Sequence, residues 1–323
     1  MALLATQPEP SMIHEDCHRT RLGTQLSPTS KSLEITSHNV TTILHYFEEN
    51  EKVSPSTPHS ISKTERRTKP TKPQKTVVHD IRGNESQYTL DTKGFQIVKH
   101  RSEEKSFLDD KQIERNYYPE TEALLKKVTG ASKVFIYNHT IHKSRGSHGA
   151  PHNPSKPLPT RRRPLHRVHI DTSYVAAPKC VAHHLSKEAP ALLRGRYQII
   201  NVWRPINTIL KDPLGVAEAG SVPDSDLVPI KLIYSDRGGE SPEHKPDEAG
   251  DTFSVRASLG HKWCYLYGQT PGEVLLIKCF DSKTDGRARR APHTAFVNEE
   301  HQDMPGRESI EVRALVFHPN DTE

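Results

Sequence analysis

The chain has little of what would build several familiar classes of protein. Its four cysteines (Cys17, Cys180, Cys264 and Cys279) lie far apart in 323 residues. None forms a CxxC pair, which argues against both a disulfide framework and a thiolate zinc site and leaves free thiols in a reducing compartment as the expectation. No run approaches the roughly 18–20 apolar residues that cross a membrane as a helix. The opening MALLATQPEPSMIHEDC has a short apolar patch in place of a signal-peptide core, so a cytoplasmic protein without membrane attachment is expected. No GxGxG loop follows a strand, which disfavours a nucleoside cofactor and with it a methyltransferase. A surplus of one charge is also missing: 45 Lys and Arg against 40 Asp and Glu leave +5, too mild to force a nucleic-acid partner. Hydrophobic residues make up 33%, and the 17 glycines raise the apolar share only to about 38%, against a usual ~45–50%. Part of the chain is therefore expected not to pack.

The shortfall is local. Residues 1–75 collect Ser, Thr, Pro, His and Lys, as in PSTPHSISKTERRTKPTKPQK, and read as a weakly structured arm. Within it TTILHYFEEN spaces Ile43, Leu44, Tyr46 and Phe47 as a short helix near 41–50 would. Residues 76–323 read as one domain in three parts. The first, 76–142, holds strands in TVVHDIRG, SQYTLDTKGFQIVKH and SKVFIYNHTIH, and a helix in YYPETEALLKKVTGA, with Pro119 in its first turn and Gly130 as its stop. A Pro- and Arg-rich loop over 143–163 follows. From 164 to 318 the chain becomes short strands: LHRVHIDTSYV, RYQIINVWRPI, LVPIKLIYS, TFSVRAS, HKWCYLYG, EVLLIKCFDS, PHTAFVN and ESIEVRALVFH, interrupted by one helix at AHHLSKEAPALLRG. Strands that do not alternate with helices exclude a doubly wound sheet, so a mainly β fold with flanking helices, a double sheet or barrel, is expected.

One constellation carries chemistry. His169 and Asp171 stand two apart in a strand and so share a face. Taken alone, HxD describes many polar strand faces. A second histidine on a late strand, His293 in APHTAF, would complete a two-His, one-carboxylate set that suits Fe(II) and leaves coordination positions open. Fourteen residues further, Arg307 and Ser309 alternate onto one strand face, where a forked guanidinium and a hydroxyl can hold the far carboxylate of a keto diacid.

With HxD, the late histidine and RxS in place, the sequence resembles the Fe(II)- and 2-oxoglutarate-dependent oxygenases. Within them it is similar to a mostly fungal biosynthetic group of aspergillic acid hydroxylase, gibberellin desaturase-like and CmcJ-like proteins. The matching segments run from DIRG through VHID, QIINVWRPI and APHTAF to RESIEVRALVF, about residues 76–317. The resemblance implies a double-stranded β-helix (jelly-roll, cupin-like) core. It implies iron on His169, Asp171 and His293, 2-oxoglutarate on Arg307 and Ser309, and dioxygen as the third reactant. It also implies a small, amino-acid-derived substrate that is hydroxylated, desaturated or cyclised in secondary metabolism, with release of succinate and CO2.

Other positions are candidates by placement. Asn201 and Trp203 share a strand face, Asn201 as a partner of 2-oxoglutarate and Trp203 as either a substrate wall or core. Tyr137, His139, Arg204 and Arg313 are substrate candidates, and Arg313 also stands as the alternative 2-oxoglutarate anchor. Two features point elsewhere. HEDCH (His14, Cys17, His18) lacks a fourth zinc partner. The run of Lys143, Arg145, Lys156, Arg161, Arg162, Arg163 and Arg167 admits the rival of a nucleic-acid or partner-binding protein on a metal-free cupin-like scaffold, although aromatics for base stacking are missing. A basic lid over an anionic co-substrate fits that run better. The oligomeric state is open.

Overall fold

The computed structural model describes residues 37–49, 59–62, 71–143, 161–233 and 251–322. HEDCH and most of the basic loop lie outside the described residues. In chain order the strands are β1 (Val40–Phe47), β2 (His59–Ser62), β3 (Thr71–Asp80), β4 (Phe95–Lys99), β5 (Lys133–Lys143), β6 (Arg161–Arg162), β7 (His169–Ile170), β8 (Arg196–Pro205), β9 (Leu214–Ala217), β10 (Leu227–Ile233), β11 (Asp251–Val255), β12 (Trp263–Tyr265), β13 (Glu273–Asp281), β14 (His293–Ala295) and β15 (Glu308–His318). They form two sheets. One runs β1-β3-β12-β9-β14-β7-β11-β10-β2 and the other β4-β13-β8-β15-β5-β6.

Strand β15 shows how the sequence builds two layers at once. Its even residues Ile310, Val312, Ala314 and Val316 pack outward with Ile200 and Val202 of β8 against the helical layer. Its odd residues face the other sheet, where Leu315 and Phe317 join Tyr197, Ile199, Val168 and Trp263. Burying each such aliphatic or aromatic side chain is worth about 1.5–3 kcal/mol. The odd face begins polar, with Ser309, Glu311 and Arg313, so one end of the inter-sheet space is closed by apolar packing and the other is lined with charge.

The helical layer starts with α1 (Asp110–Gln112), passes through a π-helical turn at Ile113–Tyr117 and continues as α2 (Tyr118–Thr129). Asp109 caps α1 by accepting from the Gln112 N–H at 2.9 Å. Gly130 ends α2 at φ 71°, a left-handed turn that glycine adopts without strain. Leu124 and Leu125 bury against the sheet. The later helical stretch divides into α3 (Ala176–His184) and α4 (Ala189–Leu192).

The expected helix near 41–50 is a strand instead. β1 pairs antiparallel with β3 from Val40↔Val78 to Phe47↔Thr71. Its buried residues are Thr42, Leu44 and Tyr46, while Ile43 is 54% exposed. That is period-2 burial, and counting Thr42 as polar surface hid it behind an apparent helical spacing. Tyr46 fixes the register from within, its hydroxyl accepting from Trp263 Nε1 at 2.8 Å. The compact unit accordingly begins at Ser37, not near residue 76. β9, only four residues long, is a strand the sequence did not announce.

Candidate functional site

His169 and His293 face each other across β7 and β14, as a directly registered pair whose ring centroids are 4.4 Å apart. Each ring is oriented from behind. His169 Nδ1 lies 2.8 Å from the Arg167 carbonyl and His293 Nδ1 lies 3.2 Å from the Ala291 carbonyl. A carbonyl can only accept, so both hydrogens sit on Nδ1 and both Nε2 lone pairs point inward. The buried Nε2 of His293 has no hydrogen-bond partner.

Asp171 follows β7 and turns its carboxylate to the same point, with Oδ1 3.5 Å from His169 Nε2. Its other oxygen, Oδ2, is occupied: Asn201 Nδ2 donates at 2.7 Å, Arg313 Nε at 3.1 Å, and Arg313 Nη2 lies at 3.0 Å. Burial pushes the carboxyl pKa up, but the Arg313 guanidinium beside it outweighs that and holds it well below the ordinary range. One ligand atom from each of these three residues lies within 4.8 Å of the others. Imidazole and carboxylate donors so directed fit a divalent transition-metal ion.

A second set of atoms lies opposite, on the six-stranded sheet. Arg307 is 3% exposed and stacks over Trp203 with its guanidinium carbon 5.4 Å from the ring centroid. Its Nη1 donates to the Asp212 carbonyl at 2.9 Å, and its Nε has no partner. Burial draws its pKa down to about 10, and Asp212 and Glu311 offset that only in part. Ser309 Oγ, Asn201 Oδ1 and Trp203 Nε1 are also buried without partners. An unpaired buried polar atom costs about 1–3 kcal/mol, so a cluster of them marks a place where a polar ligand completes the structure. Between the two sets lies a cavity of about 680 Å³.

The structure thus brings together His169, Asp171, His293, Arg307, Ser309, Asn201, Trp203 and Arg313. Arg313 is committed by its contacts with Asp171 and with Glu311 Oε1 at 2.5 Å, which leaves Arg307 as the better carboxylate anchor. Asn201 braces Asp171 through its amide nitrogen. Three candidates fall elsewhere. Arg204 points to the outer face, donating to the Tyr117 hydroxyl and to the His100 and Pro271 carbonyls. Tyr137 stacks on His184 of α3 in the apolar interior, with ring centroids 4.8 Å apart. His139 bonds Tyr118 and Asp110 on the helical side, because a β-bulge in β5 opposite Arg313/Ala314 resets the alternation. After the bulge the even residues face inward, and His142, which sequence reasoning passed over, lines the cavity. Glu311 was passed over as well, although its position midway between Ser309 and Arg313 signalled it.

Comparison with known proteins agrees with this geometry. Residues 44–317 match a family model described as an oxidoreductase/YMDC permease-like domain. No described helix is long and apolar enough to cross a membrane. The chain is 40% identical over 248 residues to the hydroxylase/desaturase efuI of Hormonema carpetanum, covering 76% of this chain and 83% of that protein. It is 37% identical over 240 residues to the alpha-ketoglutarate-dependent dioxygenase phiK of Fungal sp. (strain ATCC 74256), covering 74% and 82%. Among solved structures it is similar to the iron and alpha-ketoglutarate-dependent endoperoxidase NvfI, with a TM-score of 0.70, 26% identity and coverage of 86% and 98%. The chain belongs to the family of fungal hydroxylase/desaturases and alpha-ketoglutarate-dependent dioxygenases, built on a double-stranded β-helix.

Proposed function

We propose that this chain is an Fe(II)- and 2-oxoglutarate-dependent oxygenase of secondary metabolism, in which His169, Asp171 and His293 hold the iron and Arg307 with Ser309 holds the far carboxylate of 2-oxoglutarate. The observation that carries the residue assignment is the concentration of buried, partnerless polar atoms on both walls of one cavity. When bound, iron with 2-oxoglutarate and dioxygen supplies the oxidising power for an unactivated C–H bond, with succinate and CO2 as by-products.

The chain's own residues set the geometry. Asn201 and Arg313 occupy Asp171 Oδ2 and leave Oδ1 as the atom turned to the metal position, which favours a single-oxygen ligand. The two Nδ1–H groups lock the imidazoles. Trp203 walls the anchor and keeps water from Arg307, so a carboxylate arriving there meets a guanidinium in a low-dielectric setting. Positioning of the substrate decides among hydroxylation, desaturation and ring closure. A cytoplasmic location belongs to the same reading, supported by the buried Cys264 and Cys279, which are not disulfide-bonded. Nucleic acid has no part in it.

The test is spectroscopic. Anaerobic protein with Fe(II) and 2-oxoglutarate is expected to show a weak visible charge-transfer band that His293→Ala abolishes. A band that persists in that variant would refute the ligand assignment.

A further inference from the structure

Three consecutive residues just before β9 each hold a different point of the connection that runs from His293 to Arg307. The Lys211 ammonium donates to the Gln302 carbonyl. The Asp212 carbonyl accepts from Arg307 Nη1 at 2.9 Å. The Pro213 carbonyl accepts from the Phe296 N–H at 3.1 Å. Immediately beyond them β9 pairs with β14, from Leu214↔Ala295 through Gly215↔Thr294 to Val216↔His293. One short segment, residues 211–216, therefore indexes both a metal ligand and the guanidinium assigned to the co-substrate.

That segment has little slack. Residues 213–217 are buried, and a Cβ on Gly215 would come within 3.3 Å of the Phe296 ring. Asp212 itself stands at φ 51°, in the left-handed region, although it precedes a proline and an extended backbone is the ordinary conformation there. Residues other than glycine enter the left-handed region at a cost, which aspartate and asparagine bear best. Such a conformation persists where its surroundings fix it. Here it turns the Asp212 carbonyl onto Arg307, while the Asp212 carboxylate lies 3.4 Å from His166. With Nη1 committed to that carbonyl and its plane stacked over Trp203, the guanidinium is not free to follow a carboxylate to a new position.

We propose that Asp212 is a positioning residue that sets the length of 2-oxo diacid the site accepts, by holding the Arg307 guanidinium at one distance from the metal position. The proposal rests on the oxygenase reading for the identity of the co-substrate, and binding tests it without turnover. A loosely held arginine adapts to carboxylates on chains of different length. A pinned one rewards a single spacing, and one methylene too many then costs roughly 10- to 200-fold.

Three probes are titrated calorimetrically into full-length protein loaded with Mn(II). They are 2-oxoglutarate, 2-oxoadipate with one methylene more, and 2-oxobutyrate, which has the same chelating end and no second carboxylate. Wild type is expected to bind 2-oxoglutarate at least about tenfold tighter than 2-oxoadipate. D212N and D212V both remove the carboxylate but differ in how readily they hold the left-handed conformation, valine being β-branched. D212N keeps the wild-type ratio. In D212V the affinity for 2-oxoglutarate falls about tenfold and the ratio drops toward one, while 2-oxobutyrate and Mn(II) bind as before. K211M frees the Gln302 carbonyl and lowers the ratio by a smaller factor. Wild type that takes both diacids equally overturns the proposal, as does a D212N that loses the ratio as fully as D212V. A ratio unchanged in D212V overturns it too, and where D212V does not fold, a ratio unchanged in K211M does so. Loss of 2-oxobutyrate and Mn(II) binding together with 2-oxoglutarate would mark a general structural role and sink it as well. Wild type that binds no 2-oxo acid at all is a different result: it defeats the oxygenase reading, and the proposal with it.

Discussion

The two ends of strands β8 and β13 bury charge in opposite ways. Toward the start of β8, Lys278 and Asp281 are fully buried and fully used. Lys278 Nζ donates to Asp91 at 2.8 Å, to Asp281 at 2.7 Å and to the Ala288 carbonyl at 2.9 Å. Asp281 also takes Arg196 Nη2 at 2.7 Å and Gln198 Nε2 at 3.0 Å. Further along β8, Asn201 Oδ1 and Trp203 Nε1, with Ser309 Oγ and Arg307 Nε nearby, are buried but lack partners. A network closed on itself has nothing to offer a ligand and serves the fold. An open one gives up stability and holds binding energy in reserve.

Substitutions can break this contrast. The largest effect is expected in His293→Ala, where succinate formation should fall to background while the fold survives, read by activity alongside circular dichroism. Next is Lys278→Met in the closed network. It strands Asp281 and Asp91 with fewer cations and should cost about 3–5 kcal/mol in urea unfolding. Arg307→Met should do the reverse. Removing a buried, underpaired cation leaves the melting temperature equal or higher, while the KM for 2-oxoglutarate rises on the order of 10- to 100-fold through loss of a charge-assisted fork. A drop in stability as large as that of Lys278→Met would erase the distinction between the two regions. The smallest effect is in pH dependence. Arg196 and Lys278 overcome the effect of burial and hold the Asp281 pKa below its ordinary 3.8. Its contribution to stability is therefore complete above that value and is lost as the pH falls from there through the depressed pKa. Acid unfolding monitored in wild type and Asp281→Asn should converge at low pH.

Much of the site was legible because strand periodicity is a local rule. HxD, APHTAF and RxS each place side chains on one face within three residues, and the fold brings those faces together. What could not be read depends on partners distant in sequence. Asn201 serves Asp171 because β8 lies beside β15, with Asn201 registered to Arg313. Arg204 is lost to the cavity because Tyr117, His100 and Pro271 converge on it from three other segments. β1 was misread because Thr42, a polar residue, belongs to the buried face. The class of fold survived these errors, since it rests on many short strands together and not on any one boundary.

The extra residue in β5 bears on how relatives can be compared. Before the bulge Phe135 packs inward, and after it Thr140 and His142 do. A homologue whose strand lacked that residue would present different side chains to the cavity with no substitution at all. Column-by-column alignment through β5 would then equate positions on opposite faces, and substrate preference would track strand length as much as residue identity.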